Sequence, residues 1–188
     1  MIKLLLLIST FSLGLAQIQV SAQATFSLNN VHDLKVEGTS TLHDWDMVSE
    51  SATGTARITI GERQVEELHS LTFEMEVESL KSGRGRMDRN AYSTLESGNH
   101  PKITFELRRV NGIDGRTISA TGDLTMAGET REIDMEVTYR VRGKGVRFSG
   151  SREITFSEFN IDAPTAMLGT VTTGNEMTIS FDVTYSRN

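Results

Sequence analysis

The sequence of 188 residues contains no cysteine, two prolines and one tryptophan. Without thiols there are no disulfides, no thiolate chemistry and no lipid-modified cysteine behind a leader, so stability has to come from burial. Aromatic residues make up 6%, too little material for the two interfacial girdles of an outer-membrane barrel. The chain also ends Ser186-Arg187-Asn188 rather than on an aromatic. Basic charge is in short supply: 19 Lys and Arg face 25 Asp and Glu, a net charge of −6, with no block of Lys and Arg. Nucleic acid and anionic lipid surfaces are therefore disfavoured as partners. Catalytic signatures are missing as well. The histidines stand in no H-x-x-x-H or H-E-x-x-H pattern, and there is no G-x-S-x-G elbow, phosphate-binding glycine loop or dinucleotide fingerprint. No catalytic residue, metal or cofactor is expected from these residues.

Long apolar runs are confined to the start, where Lys3 precedes Leu4 to Ile8, Phe11, Leu13 and Leu15, followed by small residues around Ser21, Ala22 and Ala24. This is the pattern of a secretory signal peptide, over 1–22, with cleavage after Ala22 or Ala24. The run is short for a membrane span. The expectation is one exported domain over 23–188, periplasmic or secreted, with no stable membrane insertion.

What is abundant is period-two alternation. Phe73, Met75 and Val77 alternate with Thr72, Glu74, Glu76 and Glu78, giving one dry and one acidic face. Ile103, Phe105 and Leu107 share a face of a second strand, and Ile133, Met135, Val137, Tyr139 and Val141 one of a third. The longest example is Met177, Ile179, Phe181, Val183 and Tyr185, alternating with Thr178, Ser180, Asp182, Thr184 and Ser186. Weaker strands fit Val31 to Thr41, Gly54 to Ile60, Arg116 to Met126 and Val146 to Phe156. Asn111-Gly112 with Asp114-Gly115, Ala127-Gly128-Glu129 and Gly143-Lys144-Gly145 mark reversals short enough to join antiparallel neighbours. One stretch has helical spacing, with Met87, Ala91, Tyr92 and Leu95 predicting a short helix from about Arg84 to Ser97. Asn160 to Gly174 reads as a long loop or an edge cover.

About eight long strands with acidic outer faces and a single helix have nothing to cover their apolar faces except one another. The expected fold is all-β, a single antiparallel up-and-down lipocalin-like barrel with one short helix. A two-sheet sandwich is the rival. A barrel of that size is either filled by side chains or holds one small ligand. The inward positions, rich in methionine and phenylalanine, suit either reading.

Three segments in register, Val36-Glu37-Gly38-Thr39-Ser40-Thr41-Leu42-His43-Asp44-Trp45, Asn99-His100-Pro101-Lys102-Ile103-Thr104-Phe105 and Gly122-Asp123-Leu124-Thr125-Met126-Ala127-Gly128-Glu129-Thr130-Arg131, resemble the YceI-like family of polyisoprenoid-binding proteins. The resemblance implies an extended lipocalin-like barrel, exported, with an isoprenoid chain in an apolar tunnel. It implies lipid contact at the inward residues Phe73, Met75, Phe105, Leu107, Met126, Met135, Val137, Tyr139, Phe148, Phe156 and Phe181. The partner is then an apolar lipid ligand, with no other cofactor, and an exposed edge or entrance helix could pair two copies into a homodimer.

His43, Asp44, Trp45 and Asp46 form the most chemically suggestive cluster. Alternation lets His43 and Trp45 share a side while Asp44 faces away. The plain expectation is a strand-end turn in which Trp45 plugs a barrel mouth and His43 bonds backbone. Contact of His43 and Trp45 with a ligand headgroup is the functional alternative. Lys81, Arg84, Arg86 and Arg89 form a small basic cluster that reads as a solvated helix face or as a seat for an anionic headgroup. Two functional classes remain: a lipid carrier, and a filled-core barrel acting through its surface as a protein-interaction or stress-response module.

Overall fold

The computed structural model describes residues 23–166 and 168–187. The leader expected over 1–22, and Met167, lie outside them. In chain order the strands are β1 (Gln23–Ser40), β2 (Trp45–Val48), β3 (Thr53–Gly61), β4 (Gln64–Glu76), β5 (Lys102–Asp114), β6 (Thr117–Met126), β7 (Glu129–Arg142), β8 (Gly145–Thr155), β9 (Thr165–Ala166) and β10 (Val171–Arg187), with one helix, α1 (Gly85–Thr94), between β4 and β5. Eight of the strands form one antiparallel sheet in the order β1-β3-β4-β5-β6-β7-β8-β10. The sheet closes through β1 and β10, paired from Phe26 opposite Arg187 to Ser40 opposite Thr173 with three register shifts on the way. One closed sheet is a barrel, which disposes of the sandwich. The extra strands β2 and β9 are short. β2 replaces β3 as the partner of β1 near one end, pairing Trp45 with Gly38 and Val48 with Lys35.

The alternating segments fall on the strands that they predict, most of which run longer; Val77 and Glu78 instead form a 3₁₀ turn after β4, and Thr41, Arg116 and Phe156 lie one residue beyond β1, β6 and β8. β1 starts at Gln23 rather than Val31, and Gly112 sits at a register shift within β5 instead of in a turn. The reversal after β5 falls at Gly115, whose φ of +56° is open to glycine at no steric cost. The helix is shorter than its apolar spacing suggests. After Thr94 the chain tightens into turns in which the Ser97 N–H donates to the Tyr92 carbonyl at 2.9 Å and the His100 N–H to that of Glu96 at 2.8 Å. The stretch expected as a loop or cover contains β9 and the start of β10, and just ahead of it a 3₁₀ turn at Ser157–Phe159 buries Phe159, followed by buried Ile161.

The two ends of the barrel differ. At one end the connections are tight, and a buried cluster of Phe26, Ile58, Val65, Ile118, Tyr139, Val146, Phe148, Val183 and Tyr185 forms a floor. Phe148 and Tyr185 meet edge to face with centroids 5.9 Å apart. Both tyrosine hydroxyls tie the floor to backbone. Tyr185 donates to the Thr72 carbonyl of β4 at 2.9 Å. Tyr139 donates to the Gly115 carbonyl at 2.9 Å and accepts the Val65 N–H at 3.2 Å. The Tyr139 bridge lies where it is needed, because the ladder between β4 and β5 spans only Thr72–Glu76 with Lys102–Glu106, leaving the lower halves of those strands unjoined. At the other end lie the long connections, α1, and the loops around 41–44 and 156–170.

Removing the Tyr139 hydroxyl strands a buried N–H and a carbonyl. Tyr139→Phe is expected to lower stability by about 1–3 kcal/mol in urea unfolding, with no change in far-ultraviolet circular dichroism at rest.

Candidate functional site

Above the floor the barrel is hollow. A cavity of about 500 Å³ runs up to the end carrying α1, within the range of roughly 300–1,000 Å³ usual for small-molecule sites. Ile118, Ala120, Phe148, Val183 and Tyr185 form its bottom, Met87 and Ala91 of α1 with Leu95 just after it its top. Many inward side chains are only half-buried, among them Phe73, Phe105, Leu107, Met135, Val137, Ile179 and Phe181. Inward-pointing apolar groups that keep accessible surface are what separates a hollow barrel from a filled one, where the same positions would be closed off.

Phe73, Met75, Phe105, Leu107, Met126, Met135, Val137, Phe148, Phe156 and Phe181 line the cavity, as do His43 and Trp45. Tyr139 does not: it points inward as alternation requires, but its height along β7 places it in the floor, 2% exposed, with its hydroxyl used by Gly115 and Val65. Alternation specifies a face and says nothing of height. Leu34, Val36 and Met47 also line the cavity although the sequence reading passed over them, and so do Arg84, Arg86, Asn90 and Arg152.

The mouth is built around the turn between β1 and β2. Ser40 Oγ accepts the N–H groups of Leu42 and His43 at 3.3 and 3.2 Å and donates to the His43 carbonyl at 2.6 Å, which sets the turn. Trp45 lies flat over Gly38, where a Cβ would come within 2.5 Å of the indole, and its Nε1 donates to the Thr39 carbonyl at 2.9 Å. Glycine is thus required there for close approach. His43 Nδ1 lies 2.7 Å from the Asp44 carbonyl and Nε2 lies 3.2 Å from Arg84 Nη1. A carbonyl only accepts and a guanidinium only donates, so Nδ1 carries the proton and Nε2 accepts. His43 does bond backbone, as the plain reading expects, and it also meets the basic cluster. Asp44 is exposed.

The cluster itself divides. Lys81 Nζ donates to the Tyr92 hydroxyl at 2.7 Å and stands over its ring. The same hydroxyl donates to the Leu80 carbonyl at 2.7 Å, so this lysine fastens α1 to the wall. The β-bridge between Lys81 and Val48 joins that segment to β2. Asp88 accepts from the Ser82 N–H at 2.8 Å and the Ser82 hydroxyl at 2.5 Å. These bonds to the ionised form hold its carboxyl below the usual range. Arg84 and Arg86 are left at the rim. Among the described residues no group of three or more His, Cys, Asp or Glu is placed to hold a metal, and no helix is long and apolar enough to cross a membrane, which leaves strands untested.

Comparison with known families matches residues 21–185 to the YceI-like domain. A UPF0312 protein of Pseudomonas savastanoi pv. phaseolicola is 27% identical over 106 residues, 52% of this chain and 55% of the relative. The match thus spans about half the length of that relative. Among solved structures, Burkholderia cenocepacia BcnA superposes with a TM-score of 0.64 at 19% identity, covering 80% of this chain and 95% of that one. A polyisoprenoid-binding domain from Saccharophagus degradans gives 0.66 at 10% identity, covering 88% and 99%. The Campylobacter jejuni YceI protein gives 0.60 at 16% identity, covering 97% and 94%. At these identities the likeness establishes the fold.

Two outcomes follow from the mouth. Gly38→Ala pushes the indole off its seat, so the emission of this single tryptophan shifts to the red and stability falls by about 1–3 kcal/mol. For Asp88, a carboxyl held low in the folded state contributes stability above the unfolded value of about 3.9, and that contribution is lost as pH falls through the lower folded value. Asp88→Asn is expected to be less stable than wild type by about 1–2 kcal/mol at neutral pH, with the gap closing in urea melts at the acid end.

Proposed function

The chain belongs to the YceI-like domain family, and from that premise we propose that it is an exported carrier holding a polyisoprenoid or similar long apolar ligand in its barrel. The observation that carries this is the cavity: hollow, closed below by the tyrosine floor, and walled by half-buried apolar side chains. Apolar surface removed from water contributes about 25 cal/mol per Å², so several kcal/mol are available to a chain-like ligand before the entropy of association is subtracted. Selectivity then follows from the length and width of the hollow more than from hydrogen bonds. Support also comes from the Saccharophagus degradans domain, which is described as polyisoprenoid-binding and has this fold.

Export is part of the proposal and rests on the leader pattern at 1–22. Transport, storage or stress protection of the lipid are the services such a carrier would perform outside the cytoplasm. Catalysis plays no part in the proposal: among the described residues no nucleophile at the mouth is hydrogen-bonded to a base. The rival, a filled barrel acting through its surface, would bury Met135 and Phe181 fully, whereas both keep accessible surface towards the hollow.

Filling the hollow tests the choice. In a packed core a larger side chain costs about 1–3 kcal/mol. Met135→Trp is expected instead to leave urea stability within about 1 kcal/mol and to weaken binding of geranylgeraniol about tenfold or more, read by calorimetry. A wild-type protein that takes up neither this alcohol nor longer prenols, and that leaves its own host without bound lipid in native mass spectrometry, would sink the carrier reading.

A further inference from the structure

Methionine is confined to one part of the barrel. The chain has eight methionines, and those among the described residues, Met47, Met75, Met87, Met126, Met135 and Met177, all line the cavity. Each comes from a different element, β2, β4, α1, β6, β7 and β10 in turn. Among the described residues the floor cluster around Phe26, Ile58, Tyr139 and Tyr185 contains no methionine, buried or partly buried. Leucine and phenylalanine are not segregated in this way: Leu68 and Phe26 belong to the floor, Leu34 and Phe156 to the cluster above it. A flexible thioether used only to fill gaps would serve as well among the large rings of the floor. Its restriction to the hollow points to a property that leucine lacks, the reactivity of sulfur. Oxidation of methionine to the sulfoxide turns an apolar side chain into a polar one, and the change is reversible by reductases.

Two of these side chains are placed to react. Met47, Met75, Met126 and Met177 are between 3% and 5% exposed, whereas Met87 and Met135 are half-buried. Met87 stands on α1 at the top of the cavity. Met135 stands two inward positions above the floor residue Tyr139 and opposite Ala120, at the bottom of the hollow. It also falls in the part of β7 that is not laddered to β8, since that ladder runs from Val137 with Gly150 to Arg142 with Gly145. A small neutral oxidant entering by the mouth thus meets one accessible thioether at the top of the hollow and one near its base.

We propose that oxidation of Met87 and Met135 by a hydroperoxide switches the cavity from apolar to polar and releases the ligand. In each step a sulfur lone pair attacks one peroxide oxygen, and the S–O bond forms as the O–O bond breaks. With hydrogen peroxide, the proton on the transferred oxygen passes to the departing hydroxide and gives water, so sulfur is oxidised and the peroxide reduced. Water in an emptied cavity hydrogen-bonds to the sulfoxide oxygen, whereas an apolar chain in the same place offers it no donor. That difference between the empty and the loaded state is what lowers affinity. The proposal rests on the carrier reading and adds to it a modification site and a means of regulation.

The test treats the protein with hydrogen peroxide, locates the added oxygen by peptide mass spectrometry and measures geranylgeraniol binding by calorimetry before and after. Met87 and Met135 are expected to gain oxygen ahead of the four buried methionines, with affinity falling about tenfold or more and returning once methionine sulfoxide reductases have reduced both sites. The double variant Met87→Leu, Met135→Leu keeps every other methionine and is compared with itself, and its affinity is expected to change less than about twofold on the same treatment. An equal loss in the double variant would overturn the proposal. So would sulfoxides at both sites with binding unchanged, a loss that persists after both are reduced, or slower oxidation there than at the buried methionines. The reduction experiment uses wild type alone and decides the matter even if the double variant does not fold. In all of these cases untreated wild type still binds the prenol and the carrier reading stands, whereas failure of untreated wild type to bind it removes both.

Discussion

The pairing of β1 with β10 is the constraint on which everything else depends. Without it the sheet has two long edges of unpaired backbone and an apolar face open to water, and a chain with one ten-residue helix has nothing to cover either. With it, the two edges pair between Phe26 and Ser40, interrupted only at three register shifts, and the apolar face becomes an interior. No disulfide assists, because there is no cysteine. Closure of an eight-stranded ring also sets a diameter, and the side chains provided here do not fill it over its whole length.

The hollow is held open by an asymmetry between the two ends. At the floor, tight hairpins bring large side chains together and two tyrosines cross between elements that the ladders leave apart. At the mouth most connections are long, and polar contacts join the apolar packing of Leu80, Leu95, Phe159 and Ile161 in holding them: Ser82 to Asp88, Tyr92 to Leu80, Arg84 to His43.

Some charges on the outer surface are matched across neighbouring strands, as in Lys102 with Glu74 at 2.6 Å and Arg147 with Asp182 at 2.5 Å. Exposed pairs of this kind add little stability each, but they keep the outside wet and oppose edge-to-edge association. The contrast with Arg152 is instructive. It has the same side chain as Arg147, on the same strand and five positions later, so the period of two puts it on the opposite face, where it borders the cavity and forms no ion pair among the described residues.

The sequence by itself determined which residues face inward, because successive side chains in a strand alternate and a mistake of one position would wet the whole apolar set. It also determined the number of long strands, the antiparallel order through short glycine turns, and the single helix. Family resemblance then followed from three segments in register. What it did not determine was height. Met135, Val137 and Tyr139 are indistinguishable by alternation, yet the first two border the hollow and the third closes its floor, since position along the barrel axis depends on the stagger of eight strands that only closure brings into register. Arg152, which the sequence reading did not single out, borders the cavity where β7 and β8 cease to be paired, and how far they stay paired is likewise decided by the closed barrel. Arg84 and His43, 41 residues apart in the chain, meet only because α1 folds back over the turn after β1, a contact of tertiary origin that no local pattern specifies.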